Sequence, residues 1–202
     1  MTKPYIDKFH LQGGEIIRQI TFGMNDGVVS IFALLAGVWG AGQSPKTILI
    51  TLLAASVAGA LSMAAGEFIS SKSESDYYKH EIEQERLEIK LCPEIEREEI
   101  RMIYAKKGFS GEILNEIVEQ ITSDPDRWAR EMVIDELGTT ELEHDIDFKG
   151  PAVIFISFIG GSLFPTLPYL FLLTSTIKPF HLFYIATGVT LSGLFMAGAL
   201  KR

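Results

Sequence analysis

The sequence predicts an all-α, multi-pass helical membrane protein with an acidic helical domain inserted between its second and third spans. Three observations carry this. First, apolar residues are bunched rather than periodic: 47% of the 202 residues are hydrophobic and the mean hydropathy is +0.21. Four stretches, about 20–42, 47–70, 151–173 and 181–200, are long enough to cross a bilayer. Second, charge is segregated. Residues 71–150 hold 22 acidic and 11 basic side chains, net −11, while the rest of the chain holds 4 acidic and 7 basic, net +3. Third, no Pro or Gly interrupts residues 68–91, so the second apolar stretch runs straight into charged sequence. One helix that begins in a bilayer and continues into water satisfies that pattern.

Residues 1–19 are a polar lead-in with Lys3, Lys8 and Arg18, expected to form a short interfacial helix from about Leu11. The first span opens with Gly23, Met24, Asn25, Asp26 and Gly27. It is too polar at its start, and lacks the cleavage site, to be a secretory signal. Gly23 and Gly27 have the spacing that lets another backbone approach closely. The second span sets Ala55, Gly59, Met63 and Glu67 on one face at four-residue intervals. On spacing alone Met63 reads as core packing.

In the acidic block the long helix is expected to end at Cys92-Pro93. A helix over 94–107 follows, stopped by Gly108. The next covers 111–121 and is amphipathic, with Ile113, Leu114, Ile117, Val118 and Ile121 on one side. Asp124-Pro125 is an N-cap followed by Pro at the first helical position, and opens a helix to about Leu137 with Gly138 beyond it. The third span contains Gly160, Gly161, Pro165 and Pro168, a set expected to kink or break it. The domains are therefore 1–70, 71–150 and 151–202.

Lys and Arg set the orientation. Three lie in the N-terminal lead-in and two at Lys201-Arg202, against one each in the loops at Lys46 and Lys178. That bias puts both termini and the acidic domain in the cytoplasm. No targeting extension is visible, so a prokaryotic plasma membrane is the expected location. The acidic block argues against nucleic acid and for cations as partners. The single Cys92 excludes an intrachain disulfide framework, and a buried structural thiol is its expected role.

Two carboxylates, Asp26 and Glu67, fall inside apolar spans. Each is costly there and points to cation binding or proton exchange, unless it lies wet at an interface. In the acidic block Glu85 and Glu88, Glu96 and Glu99, and Met132 and Glu136 pair at three- or four-residue spacing, each pair on one helix face. Two helices joined at Pro93 can bring the first two pairs together around one or more cations. Carboxylates suit Mg²⁺, Ca²⁺, Mn²⁺ and Fe²⁺, and a thioether shifts the preference to softer metals. Against this, a charged helix face is ordinarily just solvated. One Glu-x-x-His pair, Glu141 and His144, is half of what a di-iron carboxylate enzyme needs. No phosphate loop or nucleophile motif is present. No enzymatic activity is expected.

Asn25-Asp26-Gly27 with Phe32 to Gly37, Ser62-Met63 to Glu67 with Ser73, Glu74, Asp76 and Tyr77, and the late Gly160-Gly161 with Pro165, Pro168 and Tyr169 resemble the vacuolar iron transporter family. The likeness covers nearly the whole chain in order and spacing. It implies a dimeric membrane protein that moves Fe²⁺, and often Mn²⁺, out of the cytoplasm in exchange for protons, with a cytoplasmic helical domain that collects metal. The implied collecting ligands are Glu85, Glu88, Glu96, Glu99, Met132 and Glu136, and the implied path residues are Asp26 and Met63. Ala55 stands where some members carry a path glutamate, and Glu67 is the candidate to replace it. The family usually has five spans, and four are expected in this sequence. Co²⁺ and Zn²⁺ fit the same ligands as Fe²⁺ and Mn²⁺. The alternative function is a membrane-anchored metal-binding or sensing protein that transports nothing.

Overall fold

A computed structural model describes residues 7–138, 148–171 and 179–199. Lys3, Glu141, His144, Lys178, Lys201 and Arg202 lie outside them. Among the described residues there are seven helices and no strand: α1 (Asp7–Gly40), α2 (Pro45–Leu91), α3 (Pro93–Lys106), α4 (Gly111–Thr122), α5 (Pro125–Leu137), α6 (Lys149–Leu170) and α7 (Pro179–Ala199). The all-α class is as expected. The chain divides into two compact units, Met1–Ile69 with Phe148–Arg202, and Ser70–Asp147. Helix α2 is continuous for 47 residues, or about 70 Å at 1.5 Å per residue.

In the first unit, α1 over Gly14–Gly40, α2 and α6 are long and apolar enough to cross a membrane. The apolar stretch Phe180–Phe195 of α7 is shorter. Apolar residues occupy both faces of α2. Ile48, Leu49, Leu52 and Ala60 are buried, and Ile50, Leu53, Val57 and Leu61 are exposed. A helix in water would put polar groups on its outer face, so this pattern is that of a span in lipid. The buried side chains join Ile31 and Leu35 of α1, Phe158 and Tyr169 of α6, and Leu182 and Ala186 of α7 in one core.

Two sequence expectations need correction. The lead-in and first span are a single helix: from Asp7 to Gly40 no proline interrupts the hydrogen-bond ladder. Helix α6 is likewise unbroken, with Pro165 and Pro168 inside it and buried. Pro165 costs the carbonyl of Gly161 its usual partner four residues on, yet the helix continues to Leu170. The glycines serve a different purpose. A Cβ on Gly27 would lie 2.2 Å from the Phe158 carbonyl oxygen, and one on Gly161 2.1 Å from that of Met24. The spacing of Gly23 and Gly27 thus provides a backbone-to-backbone crossing of α1 on α6. Gly59 of α2 makes room for the Phe158 ring, 2.4 Å from where a Cβ would stand.

The second unit is a small bundle of residues 70–91 of α2 with α3, α4 and α5. Its core is Ile89, Ile100, Leu114, Val118, Ile121, Trp128, Ala129 and Met132. Ile113, expected on the inner face of α4, is 61% exposed. The Asp124 carboxylate caps α5, accepting from the backbone N–H of Asp126 (2.9 Å) and Arg127 (3.2 Å). Gly138 ends α5 with φ +63°, in the left-handed region.

Candidate metal centre

The turn between α2 and α3 builds the site. Pro93 at the start of α3 leaves Cys92 as the single residue between the two helices. Cys92 leaves the helical conformation at φ −136° and ψ 53°, which turns the chain, and its carbonyl then accepts from the N–H of Ile95 (3.0 Å) and Glu96 (3.2 Å) to start α3. Cys92 is exposed, against the expectation of a buried thiol, because it sits on the outside of this turn.

One carboxylate oxygen from each of Glu85, Glu88 and Glu96 lies within 4.8 Å of the other two. Oxygens around one divalent cation stand about 2.1–2.4 Å from it, so small side-chain shifts would bring all three onto a single ion. Glu85 is only 6% exposed, and its Oε2 is buried with no hydrogen-bond partner among the described residues. A buried carboxylate oxygen without a donor is strongly unfavourable unless a proton or a cation meets it. Burial pushes Glu85 up to about 7, with the charges of Glu136, Glu88, Glu96 and Glu99 adding to the effect. Burial, then Glu99, Glu88 and Glu136, also raise Glu96. Glu136 keeps part of its surface in water, yet it too is raised, by burial first and then by Glu99, Glu88 and Glu81. These mutual effects assemble all five expected glutamates into one electrostatic group.

Glu81 belongs to it as well and was missed in the sequence reading. The signal was there: it lies one turn before Glu85 and two turns before Glu88 on the same face of α2. Met132 is one turn before Glu136 on α5, and it is fully buried in the core of this unit. Neighbouring basic groups are engaged elsewhere: Arg86 with Glu83 and Asp126, Arg101 with Glu98, and Lys107 with Asp135.

The spans hold the other candidates. Asp26 on α1 is half-buried and accepts a hydrogen bond from the Ser30 hydroxyl at 3.2 Å. Asn25 and Ser30 are exposed beside it. Met63 is half-buried against the apolar core. The Glu67 side chain is 14% exposed and has partners that sequence reasoning did not foresee. Its Oε1 accepts from Gln19 Nε2 at 2.7 Å and lies 3.8 Å from the Arg18 guanidinium. A Cβ on Gly150 would stand 2.8 Å from Gln19 Nε2 and 3.6 Å from Glu67 Oε1, so the bare backbone of α6 closes the group. Glu67 therefore ties α2 to α1, with the α6 backbone at Gly150 close by.

A family model described as the VIT family matches residues 17–202. The chain is 32% identical over 192 residues to "Vacuolar iron transporter 1" of Oryza sativa subsp. japonica, covering 95% of this chain and 75% of that one. It is 34% identical over 161 residues to "Vacuolar iron transporter 1" of Arabidopsis thaliana, covering 80% and 64%. To "Vacuolar iron transporter" of Toxoplasma gondii it is 32% identical over 153 residues, covering 75% and 51%. These relatives are named as transporters and come from eukaryotes, so they lend no support to a prokaryotic plasma membrane.

Proposed function

Since the chain belongs to the VIT family, we propose that it is a membrane transporter of divalent transition-metal ions, with Fe²⁺ as principal substrate and Mn²⁺ as a second. The observation that carries this is the buried Glu85 carboxylate, with one oxygen unpartnered among the described residues, grouped with an oxygen each of Glu88 and Glu96. That arrangement is costly for a merely structural helix bundle and appropriate for one that captures a cation. Glu99, Glu136 and Met132 complete the ligand set. The names of the relatives supply the metal.

Capture takes place on the cytoplasmic side, the side that the distribution of Lys and Arg favours. The acidic unit raises the local concentration of the ion. The ion then passes along the Met63 face of α2 to Asp26, where exchange with a proton releases it on the far side. Glu67 enters the exchange only if its bond from Gln19 opens. A homodimer covers the exposed Asn25 and Ser30 of α1, which are poorly placed against lipid.

The test is Fe²⁺ uptake, with the ion kept reduced, into proteoliposomes under a proton gradient. Asp26→Asn is expected to abolish proton-dependent uptake while metal still binds to the acidic unit. Full uptake in Asp26→Asn would remove Asp26 from the path. Metal binding with no uptake by the parent chain would instead establish a membrane-anchored metal-binding protein.

A further inference from the structure

We propose that Tyr104 and Lys107 are positioning residues for the carboxylate site: they set the rotation of α5 about its own axis, and with it the approach of Met132 and Glu136. The inference rests on the metal-capture reading above.

Two polar links join α3 and its C-cap residue Lys107 directly to α5. Lys107 Nζ lies 2.6 Å from Asp135 Oδ1 and 2.7 Å from Oδ2. The Tyr104 hydroxyl donates to Glu131 Oε1. Lys107 Nζ also lies 4.5 Å from the centroid of the Tyr104 ring, so the two links brace each other. Asp135 is half-buried and Tyr104 packs against the core of the unit, which holds this pair in place better than a fully solvated one.

On α5, Glu131 and Asp135 are one turn apart, and Met132 and Glu136 each follow by one residue. At about 100° per residue the two pairs form adjacent strips on the helix. Fixing the first strip against α3 aims the second. Packing of Trp128, Ala129 and Met132 in the core fixes which face of α5 turns inward, and the two links hold the polar strip beside that face. Arg86 of α2 pairs with Asp126 at 2.8 Å, but that link holds the first turn of α5. The links to Tyr104 and Lys107 hold the turns that carry Met132 and Glu136.

The decisive measurement is Co²⁺ titration of the full chain in detergent, following both affinity and the visible d–d spectrum. Lys107→Met is expected to weaken Co²⁺ binding on the order of tenfold and to alter the spectrum, and Lys107→Arg to restore both. Electrostatics alone predicts the opposite sign, because removing a positive charge beside an acidic site tightens cation binding. Parent-like or tighter binding in a folded Lys107→Met protein overturns the proposal. Should that variant lose its helix content, Tyr104→Phe decides: weaker binding supports positioning, and unchanged binding overturns it. Glu85→Gln separates the two readings. If it leaves Co²⁺ binding intact, metal capture fails and positioning with it. If it abolishes binding while Lys107→Met and Tyr104→Phe bind like the parent, positioning alone fails.

Discussion

Glu85 has its two protonation states set far apart in cost by its surroundings. In the unfolded chain it ionises near the ordinary 4.5, and in the folded unit at about 7. Between these values the folded state holds a proton that the unfolded state has lost. The contribution of Glu85 to stability is therefore fully present below about 4.5 and is lost as pH rises through about 7. Metal-free protein should show its Trp128 fluorescence transition at falling denaturant concentration as pH climbs through this window, with Trp39→Phe removing the other indole. Glu85→Gln should flatten that dependence and stabilise the metal-free unit at pH 8. It should also weaken Co²⁺ or Fe²⁺ binding by at least about tenfold. Metal affinity in the parent should fall as pH drops through 7, because protons and metal compete for the same oxygens. The glutamate pairs were legible from their spacing. What spacing does not convey is which oxygen is left buried without a donor, since that depends on how α3 folds back at Cys92. The same holds for Glu67, whose partners Gln19 and Arg18 are remote in sequence.

At the level of elements, the punctuation of α5 was readable in full: Asp124 caps it, Pro125 opens it and Gly138 closes it. Asp124→Ala should lower the stability of the acidic unit, read as a lower denaturant midpoint followed at Trp128. Helix α6 was read less well. Two glycines and two prolines suggest a break when only the helix itself is considered. The glycines instead answer to a neighbour, and the adjacent pair allows a sharp comparison. A Cβ at Gly160 meets nothing within 4 Å, whereas one at Gly161 would stand 2.1 Å from the Met24 carbonyl oxygen. Gly160→Ala is expected to be neutral or slightly stabilising. Gly161→Ala should destabilise the spans by about 1–3 kcal/mol, read as a lower thermal midpoint in detergent. Equal midpoints for the two variants would show that α1 and α6 do not cross at this point.

For the molecule as a whole, composition already separated the apolar spans from the acidic bundle, because bilayer and water select opposite surfaces. The contacts among the spans were hidden, since every face of a helix in lipid is apolar and periodicity loses its meaning. The glycine crossing bears on how such a molecule can work. A contact made of two backbones has no rotamers to exchange and no side chain to swing, so it does not yield by small steps. Helices α1 and α6 must then travel as one piece, with Asp26, next to Gly27, carried along. Helix α2 is held to that piece by side chains, the Phe158 ring on Gly59 and the amide of Gln19 on Glu67, and these can slide or let go. In the proposed path, Asp26 then belongs to the stiff pair of helices and Met63 to the helix that packs on it through side chains.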